Sequence, residues 1–306
     1  YGMGCSIPVS DAATCILTDH MLLPLSWNRD AYYVARGLLN WHPDGAAIVK
    51  RHLTWLFDVA ERENGMWGRS YLANGKIKDH GYQLDQQIFP FLELADYTNI
   101  TGDDSLYLRW QDEISTMFFR LVERSTDDVT FLFPTDETPA DDPITYPYHL
   151  SSHILLWHTT NQLNTIIERL EENPSDFPVA WMIRASIDKY FIIEHEGREI
   201  YAYATDGKGN YHLYHDANDI PLVYAPAWGF CSYADPVWQA TVQFAFSADN
   251  LGGAVDGKLG SVHTPDAPWP LGDMQELVIA QMFNDKTREA TVRERIAWAA
   301  QWDGAL

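Results

Sequence analysis

Apolar residues recur three and four positions apart over long stretches, as helices buried along one stripe require. The clearest are 30–41, DAYYVARGLLNW, and 46–62, AAIVKRHLTWLFDVAER, separated by the turn HPDG. A second pair covers 83–102 and 105–125, with Gly102-Asp103-Asp104 between them as a helix stop and an N-cap signal. Residues 149–172 and 175–192 form a third pair, and 237–249, 271–283 and 287–302 complete the helical pattern. Period-two alternation is local. EIYAYATDGKGNYHLYHD alternates around the turn DGKGN and predicts a hairpin, and the Gly-rich NGMWGRSYLANGKIKDHG predicts another short one. Helix pairs joined alternately by short turns and long decorated loops predict an all-α fold, an (α/α)6 toroid with small β-hairpin insertions. The long loops of such a fold gather at one end and build a pocket. The chain reads as a single domain over 1–306.

Composition narrows the partners. The net charge of -22 removes the basic footprint that nucleic acid or an anionic membrane would need. An acidic surface fits a neutral substrate. The 12 Trp, 16 Tyr and 13 Phe fill either a large aromatic core or flat platforms for sugar rings. Cys5 and Cys15 could pair, but Cys231 makes the count odd, which points to a reducing, cytoplasmic compartment. Without CxxC or a Cys/His cluster, no metal site is expected. No apolar run reaches the ~18 residues of a membrane span.

Four polar segments can carry chemistry. SWNRDAYYVARGLL puts Trp27, Arg29 and Asp30 at a helix entrance, where Asp30 can cap the helix, Arg29 and Asp30 can clamp neighbouring hydroxyls, and Trp27 can stack on a ring. HGYQLDQQIF places Gln83 and Asp85 at another entrance. YHDANDIP holds Asp216, Asn218 and Asp219; oxygen ligands at alternate positions suit calcium, but an Asx-turn is favoured because the Gly and distal Glu of an EF-hand are missing. GSVHTPDAPWPL presents His263, Thr264 and Trp269 between prolines, a stiff loop suited to sugar contact. His153, alone on its helix, reads as a core residue.

The stretch FPTDETPADDPITYPYHL sets Asp141 and Asp142 between Pro139 and Pro143, with Asp136 and Glu137 just ahead. A carboxylic acid that protonates a glycosidic oxygen must be held rigid at a pocket edge, with its pKa raised by a neighbouring acid or an apolar wall. Asp141 and Asp142 meet that description; Glu137 is the rival, and a solvated acidic loop is the plainer alternative.

Taken in order, these motifs resemble the (α/α)6 glycoside hydrolases related to glucoamylase (family 15), to family 63, and most of all to the exo-acting α-mannosidases of family 125. LSWNRDAYYVARGLL resembles the Trp-x-Arg-Asp segment of family 15, which implies that Arg29 and Asp30 bind hydroxyls of a terminal sugar. GYQLDQQIFPFLEL is similar to the Gln-Leu-Asp segment of bacterial glucoamylases. ADDPITYPYHLSSHILLW resembles the Ser-Asp-Asp stretch of family 125, which implies Asp141 as general acid with Asp142 second, while DETP, similar to the acid loops of families 15 and 63, keeps Glu137 in play. HDANDIPLVYAPAWGF and GSVHTPDAPWPL resemble two further family 125 segments, with Val262 standing where the family has Pro.

The resemblance implies an exo-acting, inverting glycosidase that cleaves terminal α-linked glucose or mannose from an oligosaccharide or small glycoside without a cofactor. These families place their catalytic base, a Glu, beyond the helix that ends here near Trp302, so the last helix pair is expected to be missing before Leu306. Two other classes remain compatible: another toroid sugar enzyme, such as an epimerase or unsaturated-uronide hydrolase, and a non-catalytic sugar-binding protein.

Overall fold

Ten α-helices, nine of them over the stretches whose pattern predicts one, lie among the residues that the computed structural model describes: 4–19, 22–125, 130–170 and 180–300, with backbone alone for 264–266. The chain divides into two compact units. One comprises Tyr1–Asp136 and Leu156–Met182; the other comprises Glu137–Leu155 and Ile183–Leu306.

The first unit opens with a hairpin that the sequence pattern missed, β1 (Ser6–Pro8) with β2 (Thr14–Ile16). Its register sets Cys15 opposite Ile7, while the Cys5 carbonyl accepts from Leu17 N–H at 2.8 Å. The two thiols are therefore offset and both stay free and buried, which corrects the pairing their spacing allowed. Burial pushes the Cys15 thiol up to about 12.

Helix α1 (Asn28–Trp41) and α2 (Gly45–Thr54) form the first predicted pair. The helix expected to run to 62 leaves the α form at Thr54 and continues as a π turn, Trp55–Val59, closed by Ala60 N–H donating to Trp55 O at 2.8 Å. Two small hairpins follow where one was expected, β3 (Arg62–Glu63) with β4 (Met66–Trp67) and β5 (Ser70–Tyr71) with β6 (Ile77–Asp79).

Helix α3 (Leu84–Thr101) is buried continuously from Leu84 to Thr98, so it carries little amphipathic signal. Gly102, at φ 71°, ends it in the left-handed conformation that glycine adopts without strain. Pro90 sits inside this helix and has no N–H to give to Gln86 O. The Asn28 side-chain amide fills that place, donating to Gln86 O at 2.9 Å, and so ties α1 to α3. Helix α4 (Ser105–Glu123) then packs on α3. Phe91 on α3 is fully buried among the rings of Trp67, Phe57 and Phe118, with centroids 5.5, 6.3 and 5.2 Å away.

In the second unit, β7 (Tyr148–His149) leads into α5 (Leu150–Leu170), whose first turns belong to this unit and whose remainder belongs to the first. Helix α6 (Ala180–Tyr190) and the hairpin of β8 (Ile192–His195) with β9 (Arg198–Tyr201) follow. β10 (Ala204–Thr205) pairs with both β7 and β11 (Tyr211–His212). The long alternating stretch is thus two hairpins: its first half pairs back onto β8, and its second half makes the turn around DGKGN. The short α7 (Ile220–Tyr224) precedes α8 (Pro236–Ala245), which ends short of the expected Asp249. β12 (Ala254–Val255), β13 (Lys258–Ser261) and β14 (Thr264–Pro268) form a small sheet before α9 (Pro270–Met282) and α10 (Lys286–Ala299). Residues 171–172, 175–179 and 301–302 of the predicted helices lie outside the described residues. No described helix is long and apolar enough to cross a membrane.

Phe91→Ala should destabilise the protein by about 3–5 kcal/mol, because a buried ring is replaced by a cavity that rigid neighbours cannot fill. Denaturant unfolding checks this, and a loss below about 1 kcal/mol would contradict the packing described.

Candidate active site

The first unit gathers the two helix entrances. Arg29 Nη1 lies 2.9 Å from Asp85 Oδ2 and 3.5 Å from Gln83 Oε1, and Arg29 Nε lies 3.6 Å from Asp30 Oδ2. The Arg29 backbone N–H donates to Gln86 Oε1 at 3.1 Å. Gln83, Asp85 and Gln86 are buried, and Arg29, Asp30 and Trp27 are half-buried. Segments more than fifty residues apart thus meet as one guanidinium ringed by acceptors. One expectation is corrected: α1 begins at Asn28 with Trp27 at its cap, so Asp30 occupies the first turn and does not cap the helix. A carboxylate there still complements the positive end of the helix.

The acidic loop belongs to the second unit. Thr138 N–H donates to Asp142 O at 2.8 Å, Asp141 N–H to Thr138 O at 3.0 Å, and Ala140 N–H to Thr138 Oγ1 at 3.1 Å. Glu137 bridges Pro143 across the base of this turn. The turn forces Asp141 to φ 65°, a left-handed conformation that costs a non-glycine residue about 1–3 kcal/mol. His263 reaches this loop from between β13 and β14. Its Nε2 lies 2.6 Å from Ala140 O and 3.2 Å from Asp142 Oδ2.

Asp142 and Asp216 line one cavity of about 160 Å³, with Thr138, Tyr203, His212 and Tyr214 around them. Asp141 is not among its lining residues. The volume is below the ~300–1,000 Å³ usual for drug-sized ligands, so the cavity suits part of a small polar ligand. Two larger grooves, about 390 and 540 Å³, run along α8, α9 and α10. In the latter, Asp273 and Arg295 already satisfy each other at 2.8 Å, so we place the chemistry in the smaller cavity.

Asp216 is almost wholly buried. Its Oδ1 accepts from Asn218 N–H at 2.7 Å, which is the Asx-turn expected here, and its Oδ2 lies 3.1 Å from the Tyr214 hydroxyl. Burial, then the nearby Asp219 carboxylate, push the Asp216 carboxyl up to about 7. Asp219 goes the other way. Burial alone would raise it, but His149, whose Nε2 lies 3.0 Å from Asp219 Oδ1, and His215 hold it below the usual range. The two carboxyls of this buried pair are thus pushed in opposite directions. Behind them His215 Nε2 contacts Gln275 Oε1 at 3.1 Å, and Gln275 donates to Ala217 O at 2.7 Å, fixing the turn from α9.

The structure therefore joins Trp27, Arg29, Asp30, Gln83 and Asp85 in one unit, and Asp142, Asp216, Asn218 and His263 in the other. Trp269 stands apart, half-buried on the Ala217, Ala245 and Leu259 cluster. The Thr264 side chain lies outside the described residues. His153 is a core residue as expected, buried with Nδ1 2.7 Å from His149 O. His149 and Tyr203 were missed by sequence reading; the one signal available was their place in the aromatic, histidine-rich segments flanking the acidic loop and the DGKGN turn.

Asp219→Asn should lower the pKa of Asp216, because removing a neighbouring negative charge favours ionisation. A carboxyl-carbon NMR titration of Asp216 reads the shift directly. A midpoint that stays put or rises would contradict the coupling.

The family model for metal-independent alpha-mannosidases (GH125) matches residues 123–295, more than half of the chain. No curated protein matches the sequence. Among solved structures, a Streptococcus pneumoniae enzyme from a family of metal-independent alpha-mannosidases, in a non-productive complex with alpha-1,6-mannobiose, superposes with TM-score 0.76 at 21% identity, covering 99% of this chain and 83% of that one. A glycosidase variant in complex with glucose gives TM-score 0.71 at 16% identity over 96% of this chain and 80% of its own. A bacterial glucoamylase bound to acarbose gives 0.54 at 18% identity, covering 74% of this chain and 34% of that one. At these identities the superpositions establish the fold, which is that of glucoamylase-like glycosidases. The matched segment contains the acidic loop, the Asp216 turn and His263, and the chain belongs to the metal-independent alpha-mannosidase family, GH125, of glycoside hydrolases.

Proposed function

We propose that this glycoside hydrolase removes a terminal α-linked mannose from oligosaccharides, with α-1,6-mannobiose as a minimal substrate, and that Asp142 is its proton donor. The reading rests on one observation above the others: Asp142 lines a small polar cavity while His263 and the turn at Thr138 hold its loop. The sugar follows from the family and from the disaccharide bound by the pneumococcal relative. The helix pairs fit a six-hairpin (α/α)6 toroid. Three free thiols, two of them buried, fit a reducing cytoplasm.

Inversion sets the chemistry. Asp142 gives its proton to the glycosidic oxygen as the bond to the anomeric carbon breaks. Water attacks that carbon from the opposite face, and a second carboxylate, ~6.5–9.5 Å from the acid in such enzymes, takes the water's proton. Asp216 and Asn218, at the cavity wall, offer contacts to hydroxyls. Arg29, Asp30, Gln83 and Asp85 form a donor–acceptor set of the kind that selects one arrangement of hydroxyls, with Trp27 as a flat neighbour.

Asp142→Asn should lower kcat on α-1,6-mannobiose by about 10²–10⁴-fold, the range of general-acid assistance, with little change in binding. Asp141→Asn and Glu137→Gln should stay within about tenfold of the parent on the same scale. Near-normal turnover in Asp142→Asn with a crippled Asp141→Asn would give the role to Asp141.

A further inference from the structure

The GSVHTPDAPWPL loop was expected to touch sugar, yet the His263 ring is turned onto the acidic loop. Its Nε2 lies 2.6 Å from Ala140 O. A carbonyl oxygen only accepts, so Nε2 carries the hydrogen. Asp142 Oδ2, shielded from solvent, lies 3.2 Å from the same Nε2, but the N–H is directed to Ala140 O and makes no hydrogen bond to the carboxyl. Ala140 O belongs to the peptide that leads into Asp141, the residue held in a left-handed conformation. One N–H therefore pins the strained peptide and sets the imidazole against one oxygen of the next carboxyl.

We infer that His263 is a positioning residue for the general acid: it anchors the loop at Ala140 and turns Asp142 so that the transferable proton sits on Oδ1. An oxygen crowded by a donor nitrogen at 3.2 Å and shielded from solvent has no room to present a proton to a ligand, so the proton belongs on the other oxygen. In the step that follows, the Asp142 Oδ1–H bond breaks, its proton goes to the glycosidic oxygen, and the aglycone leaves as a neutral alcohol. Asp142 is left as a carboxylate whose Oδ2 stays beside the His263 imidazole. The imidazole neither gains nor loses a proton. Ser261 Oγ, 3.4 Å from His263 N and 3.5 Å from Asn218 Nδ2, extends the support towards the Asp216 turn. The inference rests on the reading of Asp142 as the acid.

The test exploits leaving-group chemistry. α-1,6-Mannobiose needs a proton on its departing oxygen; α-mannosyl fluoride does not, because fluoride leaves readily unaided. His263→Phe keeps a ring and removes the N–H, and His263→Gln restores a donor of similar reach. Steady-state kinetics of both variants, beside Asp142→Asn, should show kcat for His263→Phe falling by about 10²-fold on the disaccharide but less than about threefold on the fluoride, with KM nearly unchanged on both. His263→Gln should recover most of the loss. Equal losses on both substrates, a rise in KM alone, or parent-like activity of His263→Phe on the disaccharide would overturn the inference. Failure of the underlying reading looks different: Asp142→Asn would then lose activity equally on both substrates, or the parent would cleave neither.

Discussion

A carboxylate taken out of water must find a partner or give up its charge, and each unit of this protein is arranged around that constraint. With a net charge of -22, the chain has few cations to spare for its buried acids. In the first unit Arg29 serves Asp85, while Glu93 on α3 lies 2.8 Å from the buried His52 and Asp96 accepts from the Tyr32 hydroxyl at 2.9 Å. Burial raises both Glu93 and Asp96. In the second unit His149 serves Asp219, and burial beside Asp219 pushes the Asp216 carboxyl up. The two carboxyls of the Asp216–Asp219 pair are driven in opposite directions by burial and by their histidine neighbours. That is the condition a site must meet before it can give or withhold protons at a chosen point.

The consequences reach the backbone. The Asp216 turn is fixed by its own Asx bond and by Gln275 from α9; the acidic loop is fixed by Thr138 and by His263. Both turns are held from elements far away in sequence. Rigid placement matters because proton transfer tolerates little misplacement of donor and acceptor. The same logic explains Pro90. The hydrogen bond it removes from α3 is replaced by Asn28, one residue before Arg29, so the entrance of α1 is anchored to the helix that supplies Gln83 and Asp85 at its start.

Much of this was legible in the sequence, for identifiable reasons. Long helices show their period, and Arg29, Asp30, Gln83 and Asp85 stand out because polar residues at helix entrances break an apolar pattern. Asp141 and Asp142 stand out because prolines bracket them. The strands were mostly hidden: two- and three-residue ladders such as β3 with β4 are too short to show alternation. α7, five residues long, and the π turn at Trp55–Val59 leave no period either. The proposed preference for Asp142 over Asp141 could not be drawn from spacing, because it rests on backbone sign and on a histidine 123 positions away from Ala140. His263 was recognised as polar and loop-borne, but the direction of its ring is a tertiary fact. The same holds for Asp219, whose role follows from His149 and not from its own neighbours in sequence.

The central claim is that one held carboxylic acid and one attacking water break an α-mannosidic bond with inversion. A proton NMR time course on α-1,6-mannobiose tests it most directly, since the anomeric signals of the first mannose released appear before mutarotation mixes them. The account predicts that β-mannose appears first and relaxes later to the equilibrium mixture. First release of α-mannose, or no release from a folded protein that binds the disaccharide, would contradict it.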